Sequence, residues 1–344
     1  MPVSEKASRT DWARPGVETV QEGVHRIALP LPLDALTAVN VYALETGSGL
    51  LLIDGGWAVP EGRRQLEESL AELGFTTSDI ARVLVTHIHR DHYTLGAALQ
   101  REVGCALSVG RDEADSLAEL RVDPRSGAVQ ISMLAEAGAD ALIDGWRGWL
   151  QSQPDDSANY ADPTDWLSDG ESIELGGVRL CAVHTPGHTR GHFVFVDEDR
   201  SLLFSGDHLL PTITPSIGFE PVRDRLALRA FLDSLRKVEE LGDLALMPAH
   251  GAAGMNSKDR SRALIEHHEA RLQSTFDAIA GERTAAQAAA ALRWTRRGLE
   301  LRELEPYNQA LAVLETEHHL ELLEARGLLR STMTRSVRRY RRIA

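Results

Sequence analysis

The chain has 344 residues, of which 43% are hydrophobic, and its 51 acidic and 37 basic side chains give a formal net charge of -14. That length supports a full hydrophobic core and more than one domain, and the acidic balance opposes general nucleic-acid binding because it repels phosphate. Only Cys105 and Cys181 are present, no apolar stretch is long enough to cross a bilayer, and the first residues lack an apolar leader, so we predict a cytoplasmic protein with no membrane contact and no disulfide framework.

The first third of the chain predicts alternating strands and helices. Residues 1–22 are predicted to form a polar N-terminal arm, and residues 23–32 an edge strand that Pro30 and Pro32 interrupt. Hydrophobic spacing then predicts a hairpin of AVNVYALET and GLLLIDGG, a helix 63–73, a strand 82–85, a helix 95–102 and a strand 106–109.

A helical, aromatic insertion is predicted at about residues 112–166. It carries Trp146, Trp149, Tyr160 and Trp166. We expect these rings to pack onto the core, and a lid or a substrate wall is the alternative; both roles can hold. After the insertion, the pattern predicts strands 179–184, 192–196 and 201–204, a helix 225–241 and a strand 243–247.

The stretch 81–92, ARVLVTHIHRDH, ends a buried strand in ionisable side chains. His87 and His89 are two residues apart, so both project to the same side of an extended segment, and Asp91 and His92 follow at the start of a helix. Imidazole and carboxylate ligands suit zinc or a similar divalent ion. A single histidine is usually an ordinary surface or core residue, but three histidines and an aspartate within six residues predict a metal site.

Three more strand ends carry metal-binding residue types next to glycine or proline. His188 lies in HTPGH, Asp207 in SGDH and His250 in PAHG. Tight turns at the ends of rigid strands aim side chains at one point. We therefore predict two ions that share a hydroxide, with one ion held by His87, His89 and His188, the other by Asp91, His92 and His250, and Asp207 bridging both.

These motifs resemble those of the metallo-β-lactamase superfamily, in which HIHRDH, TPGH, SGDH and PAHG occur in this order; here they lie within residues 23–251. The resemblance implies an α/β fold, the αββα sandwich, with the site at one edge between two similar β-sheets. It implies the same ligand roles, and the predicted catalytic residues are Asp91 and Asp54, of which Asp54 orients the site from behind. Supporting or structural roles are left for the other histidines nearby, His184, His192 and His208.

Two side chains of the HIHRDH segment are predicted to bind substrate. Many family members have small glycines after the last histidine of this motif, whereas this chain has Tyr93, which brings a phenol near the pocket. Arg90 lies inside the motif and faces either an anionic substrate or solvent.

A catalytic domain is predicted at 23–255 and a second domain at 256–344. The second domain resembles the winged-helix segment of the lactamase-beta-2-like branch, with helices predicted at 260–282, 288–292 and 307–326 and a wing strand from Leu328. Its helical face is acidic, but the tail from Arg330 onward contains six arginines and no acid. We expect this tail to be solvated or to contact another copy of the chain, and a phosphate-binding strip is the alternative.

The leading functional hypothesis is a dinuclear metal hydrolase whose bridging hydroxide attacks the carbonyl of a small ester, thioester or lactone. The alternative is a metal-dependent endoribonuclease or phosphodiesterase of the lactamase-beta-2-like type, which the arginine tail favours and the net charge opposes. A DNA-binding regulator that uses the metal domain as a sensor is the third hypothesis. The predicted cofactors are two divalent ions, zinc in the first place, with iron or manganese also fitting the ligands. The predicted partners are a small molecule, RNA under the alternative, and a second copy of the chain.

Overall fold

The computed structural model describes residues 11–32 and 36–343 of the chain. Within this part, the first sheet has seven strands in sequential order, antiparallel up to the fourth strand and parallel from the fourth to the seventh. The strands are β1 (Gly16–Gln21), β2 (Val24–Pro30), β3 (Ala38–Thr46), β4 (Gly49–Ile53), β5 (Ile80–Leu84), β6 (Ala106–Gly110) and β7 (Asp165–Leu167). The helices along this half are α1 (Pro60–Glu72), α2 (Arg90–Val103), α3 (Ala114–Val122), α4 (Ala128–Glu136) and α5 (Asp140–Ser152).

The described residues form a second sheet of five strands in the order β12-β11-β10-β9-β8. Its strands are β8 (Glu171–Leu175), β9 (Val178–His184), β10 (Phe193–Asp197), β11 (Leu202–Gly206) and β12 (Ala245–Pro248). Helix α6 (Ala227–Glu240) connects β11 to β12, and these two strands are parallel whereas the other pairs are antiparallel. The carboxyl ends of β11 and β12 therefore lie at one edge of this sheet.

Strand β4 illustrates how the sequence builds the layers. Leu50 and Leu52 belong to the core shared with α1 and α2, while Leu51 and Ile53 belong to the core between the two sheets. All four side chains are buried, as expected for a strand covered on both faces. On the outer face of the second sheet, Phe231 of α6 packs in a third core. The result is the αββα sandwich that the sequence predicts.

The C-terminal part packs against the insertion rather than standing apart from it. It consists of α7 (Ser257–Ala278), α8 (Ala285–Ala291), α9 (Pro306–Ala325) and a hairpin of β13 (Leu329–Thr334) and β14 (Val337–Arg342). Buried residues of α4 to α9 share one hydrophobic core. The domain boundary at 255 stays a prediction, but the packing is continuous across it.

Two predicted boundaries are corrected by the structure. Residues 16–21 of the predicted arm form β1, which pairs antiparallel with β2; its mostly exposed and half-buried side chains explain why no apolar pattern marked it. Residues 1–10 of that arm lie outside the described part. Helix α2 begins at Arg90 rather than at residue 95, so Asp91 and His92 lie in its first turn.

The arginine tail forms β14, which pairs with β13 along its whole length. Arg338 bonds to Glu136 at 3.1 Å and Arg342 donates to the carbonyl oxygen of Phe276 at 2.9 Å. The predicted wing strand is therefore one half of a hairpin, and the winged-helix class stays a prediction. Within the described ranges, every helix is too short or too polar to span a membrane.

Candidate metal centre

The centre begins where β5 ends and α2 begins. The chain leaves the sheet after Leu84, passes through Thr86, His87 and His89, and enters α2 at Arg90. His89 stands at the N-terminal boundary of the helix, and its carbonyl oxygen accepts the backbone N–H of His92 at 3.0 Å. A strand end and a helix start thus fix the side chains of this short segment from both sides.

Three imidazoles converge on one point at the first predicted ion position. Nε2 of His188 lies 3.2 Å from Nε2 of His87 and 3.0 Å from Nδ1 of His89. Oδ2 of Asp207 lies 3.5 Å from the same His188 nitrogen, and the four side chains form one group whose ligand atoms lie within 4.8 Å of one another. The structure therefore brings together the first predicted set, with Asp207 beside it.

The far ring nitrogens of these histidines determine which nitrogen is free to bind. Nδ1 of His188 donates to the carbonyl oxygen of Ser216 at 2.7 Å, and Nε2 of His89 donates to that of Phe219 at 2.7 Å. A carbonyl only accepts, so these nitrogens carry the protons and the facing nitrogens keep their lone pairs. Burial lowers the pKa of His89 to about 3, and burial likewise lowers the pKa values of His87 and His188. Burial thus favours the neutral form of the three rings, which ligation requires.

The second group consists of Asp91, His92 and His250. Nε2 of His250 lies 3.3 Å from Oδ2 of Asp91 and 3.4 Å from Oδ1 of Asp207, and Nε2 of His92 lies 3.7 Å from each of these oxygens. Asp207 therefore directs one oxygen to each group, which is the arrangement of a bridging carboxylate. The second predicted set also comes together.

Charge distinguishes the second group from the first. Burial alone lowers the pKa of His92, but the carboxylates of Asp54, Asp91 and Asp207 outweigh it and raise the value to about 10. The same balance, with Asp207 as the main carboxylate, raises the pKa of His250. The buried carboxylates thus favour positive charge at this position, and a divalent cation would supply it.

The residues present fit two divalent ions. Nε2 of His92, Nε2 of His250 and Oδ1 of Asp207 are buried, and none of them has a hydrogen-bond partner within the described residues. Such atoms are costly unless something compensates them, and all three face the gap between the groups. Imidazole nitrogen and carboxylate oxygen suit zinc, iron and manganese alike.

Asp54 contacts His92 of the second group on the side of the ring that faces away from the ligand gap. It directly follows β4 in the left-handed region, with φ of 62°. One carboxylate oxygen accepts the backbone N–H of Thr86 at 2.8 Å and the other accepts Nδ1–H of His92 at 2.8 Å. The contact fixes the His92 proton on Nδ1 and turns Nε2 towards the ligand gap. This position agrees with the orienting role predicted for Asp54.

The remaining histidines lie around the groups rather than in them. His192 stacks against His87 with centroids 5.1 Å apart, and its Nε2 accepts the backbone N–H of Asp207 at 3.3 Å. His208 is buried against Phe231. His184 donates to the carbonyl oxygen of Arg190 at 2.8 Å. These contacts agree with the supporting and structural roles predicted for the three histidines.

A cavity of about 250 Å³ opens onto the centre. One end is formed by ligands of both groups, and the other end by rings from three parts of the chain: Trp146, Trp149, Tyr160, Phe219 and Tyr307. Of the four insertion rings, Trp146, Trp149 and Tyr160 pack in the core and also line the cavity, whereas Trp166 packs only against the core. Their role as a substrate wall stays a prediction. Sequence reasoning missed Phe219 and Tyr307, because neither stands in a motif and their approach depends on the tertiary fold.

The two predicted substrate residues differ in position. Arg90 lines the cavity, donates to Oε1 of Gln153 at 3.0 Å and lies 5.1 Å above the Trp57 ring. Tyr93 is fully buried, is absent from the cavity lining of the described residues, and donates its hydroxyl to the carbonyl oxygen of Ala161 at 2.6 Å. The expectation of a pocket phenol at Tyr93 is therefore corrected, since its side chain faces into the core from α2. The tyrosines that line the cavity are Tyr160, which stacks on Tyr93, and Tyr307.

Comparison with known sequences places these features in a family. The model of the metallo-beta-lactamase superfamily matches residues 35–250. The lactamase-like protein aptB of Emericella nidulans is 28% identical over 269 residues, which are 78% of this chain and 67% of that protein. The lactamase-like protein nscB of Arthroderma gypseum is 32% identical over 270 residues, 78% of this chain and 68% of that protein. An atrochrysone carboxyl ACP thioesterase of Aspergillus fumigatus is 27% identical over 221 residues, which span 64% of this chain but only 39% of the thioesterase.

Solved structures extend the likeness to nearly the whole chain. A metallo-beta-lactamase family protein from Thermus thermophilus is 26% identical, with a TM-score of 0.77 over 94% of this chain and 100% of that chain. A beta-lactamase domain protein from Burkholderia ambifaria is 25% identical, with a TM-score of 0.78 over 95% of this chain and 94% of that chain. The sandwich, the two ligand groups and these matches lead to one conclusion: the chain belongs to the metallo-β-lactamase superfamily.

Proposed function

We propose that the protein is a dinuclear metal-dependent hydrolase that cleaves a thioester or ester of a small acyl group. The observation that carries the proposal is the pair of ligand groups joined by Asp207 at the inner end of a cavity. Membership of the superfamily and the thioesterase names of relatives support a hydrolase enzyme.

The centre has the parts that hydrolysis needs. When bound, two divalent ions lower the pKa of a water molecule and stabilise negative charge on the attacked carbonyl oxygen. Zinc is the proposed metal, and the same ligands accept iron or manganese. The ligands named above would hold the ions, with His87, His89 and His188 on one side, Asp91, His92 and His250 on the other, and Asp207 between them.

Asp91 is the proposed proton carrier. Burial alone would raise the pKa of its carboxyl, but the adjacent His92 and His250 outweigh burial and hold it well below its usual range. It therefore stays ionised and lines the cavity. Because bound ions would acidify the attacking water, even this weakly basic carboxylate could accept its proton. The carbonyl carbon gains a bond to the water oxygen and loses its bond to sulfur, and the proton passes to the leaving thiolate, so that a free acid and a thiol result.

The cavity favours a small molecule over a nucleic acid. Its volume of about 250 Å³ lies just below the roughly 300–1,000 Å³ of small-molecule sites, which suits a small ligand. Apart from the ligands, its described lining carries more carboxylates than guanidinium groups, namely Glu119, Asp123, Asp156 and Glu220 against Arg90 and Arg125. Such a lining repels phosphate, and the pairing of Arg338 and Arg342 leaves fewer tail arginines for a nucleic acid.

The test combines metal analysis with parallel assays of one preparation. We expect about two metal equivalents and turnover of an N-acetylcysteamine thioester, with a lactone, bis(p-nitrophenyl) phosphate and single-stranded RNA as comparisons. Metal with cleavage of only the phosphodiester or the RNA would move the protein to the nuclease alternative. Absence of retained metal would refute the assignment of the centre. The cytoplasmic location and the homo-oligomer stay predictions.

A further inference from the structure

The outer part of the cavity is a chamber of aromatic rings, which we define as Trp146, Trp149, Phe219 and Tyr307. We propose that this chamber binds a flat, unsaturated or aromatic acyl group that carries an acceptor oxygen at its far end. The inference rests on the proposed function in one respect only, namely that the bound group is the acyl part of the substrate.

The rings form one continuous surface. Tyr307 is parallel to Trp146, at 5.3 Å and an interplanar angle of 6°, and packs on Trp149 at 4.2 Å and 31°. Phe219 meets Trp146 edge-on at 5.9 Å and 80°. These contacts already cover the faces between the rings, so a ligand in the cavity meets their remaining faces and edges. A flat partner gains most there, because rings prefer stacked and edge-to-face contacts. The geometry therefore selects a planar group over a branched one.

The chamber lies one ring away from the metal ligands. The Phe219 ring is 6.0 Å from the His89 ring, and the carbonyl oxygen of Phe219 accepts the proton of His89 at 2.7 Å. His89 and His188 line the same cavity as the four chamber rings. A thioester carbonyl held at the ligands would thus extend its acyl group over Phe219 and Trp146.

An unpaired donor in the chamber wall points to an oxygen on that group. Trp146 is 1% exposed, and its indole N–H lacks a hydrogen-bond partner in the part of the chain that the structure describes. The residue beside it is Gly127, where an added Cβ would lie 3.2 Å from that nitrogen and 2.3 Å from Cδ1 of Leu150. That position is too close to Leu150 for any side chain, so Gly127, with φ of 54°, packs its backbone beside the indole. Gly127 and Trp146 both line the cavity. A hydroxyl or carbonyl oxygen of the ligand would satisfy the donor.

The C-terminal part completes this chamber. Tyr307 stands in the first turn of α9, far beyond the residues 35–250 that match the family model. Its ring forms the roof over the two tryptophans of α5. The specificity of the enzyme therefore depends on a helix outside the metal-binding part of the chain.

Binding of three neutral amides, which thioester hydrolysis does not consume, tests the inference. Calorimetry on the metal-loaded full chain would use octanamide, 2-naphthamide and 6-hydroxy-2-naphthamide. We expect 2-naphthamide to bind about tenfold more tightly than octanamide, which equals about 1.4 kcal/mol. The hydroxyl should add about fivefold, as one neutral hydrogen bond does. Equal binding of octanamide would overturn the planar chamber.

Three variants locate the effect. Trp146→Phe keeps a ring but removes the N–H, so it should abolish the preference for the hydroxylated amide and retain most of the affinity for 2-naphthamide. Tyr307→Ala should lower the affinity for both naphthamides about tenfold. Trp166→Phe, outside the cavity lining, is the matched control and should change neither. If Trp146→Phe still bound 6-hydroxy-2-naphthamide more tightly than 2-naphthamide, the role of the indole donor would be refuted.

The two proposals fail separately. Naphthamide binding without turnover of any thioester or ester would support the chamber and overturn the hydrolase. Thioester turnover without selective naphthamide binding would leave the hydrolase and overturn the chamber. Tighter binding of adenosine monophosphate than of 2-naphthamide would show that the rings stack a nucleobase, and would overturn the acyl assignment.

Discussion

Replacement of Asp54 by asparagine should release one of two metal ions while the other stays. Both oxygens of Asp54 are occupied, one by the backbone N–H of Thr86 at 2.8 Å and the other by Nδ1–H of His92 at 2.8 Å. The asparagine side chain has one acceptor oxygen and one NH₂ group. If the oxygen serves Thr86, the NH₂ group faces His92 and moves its proton to Nε2, so that the ligand nitrogen is lost. The opposite orientation leaves the buried Thr86 N–H without an acceptor.

The size of the effect follows from these contacts. Loss of a partner that orients a metal ligand weakens metal affinity by about 10–100-fold, or about 1.4–2.7 kcal/mol. The first group does not contact Asp54 through its facing nitrogens, so its ion should remain. We would dialyse Asp54→Asn and the unmodified protein against graded chelator and measure metal by mass spectrometry. The variant should retain about one equivalent at a chelator concentration at which the unmodified protein retains two.

A buried carboxylate elsewhere provides the control. Asp197 is fully buried and accepts Nη1–H of Arg200 at 2.9 Å, so Asp197→Asn perturbs a comparable contact in the second sheet, outside both ligand groups. It should keep both ions. If Asp54→Asn also keeps two ions across the chelator series, Asp54 does not control metal binding through the His92 tautomer.

Three further changes test other parts of the structure. Asp207→Ala should lose both ions and all turnover, because its two oxygens serve the two groups; metal analysis showing one retained equivalent would contradict the bridge. Burial raises the pKa of the Glu317 carboxyl from 4.5 to about 7, so the folded state holds this proton more tightly than the unfolded state. The free energy of unfolding should therefore fall by about 3 kcal/mol as the pH rises from 4.5 to 7. Urea unfolding of Glu317→Gln over the same pH range should lack this fall. Gly55→Ala places a Cβ 2.3 Å from a backbone nitrogen of α2 and should lower the free energy of unfolding by at least about 1–3 kcal/mol. Gly148→Ala, with open space around it, should instead stabilise α5 by about 0.5–1 kcal/mol. Equal melting temperatures of the two variants would contradict the close approach of Gly55 to α2.

The layered fold could be predicted because the apolar pattern of each buried strand shows which of its faces are covered. The run GLLLI of β4 places apolar side chains on both faces of the sheet, and the structure buries the side chains of both faces. Strand β1 gave no such signal, since an edge strand with polar side chains is held by backbone hydrogen bonds that any residue can make. Local pattern therefore predicts buried strands better than edges.

The ligand groups could be predicted for a different reason. The ligands stand within a few residues of the ends of β5, β9, β11 and β12, either in the connecting turn or, for Asp91 and His92, in the first turn of α2. Short spacing from a strand end is visible in the sequence, and strand ends at one edge bring such residues together. Tyr93 was misplaced because the motif gives its position in the chain but not the face of α2 on which it lies. Tyr307 was not found at all, since its approach to the cavity depends on how α9 packs on α5, which no short segment encodes.

The loop that contains Ser216 and Phe219 contacts both the predicted metal ligands and the cavity, so we expect metal binding and ligand binding to be coupled. Its carbonyl oxygens hold the rings of His188 and His89, and the Phe219 side chain forms part of the cavity wall. A ligand that stabilises this conformation of the loop also stabilises the metal-bound state. By linkage, bound metal raises the affinity for that ligand by the same factor. We therefore expect a product analogue that contacts this loop to raise the metal affinity of the protein, which a chelator titration with and without the analogue would measure.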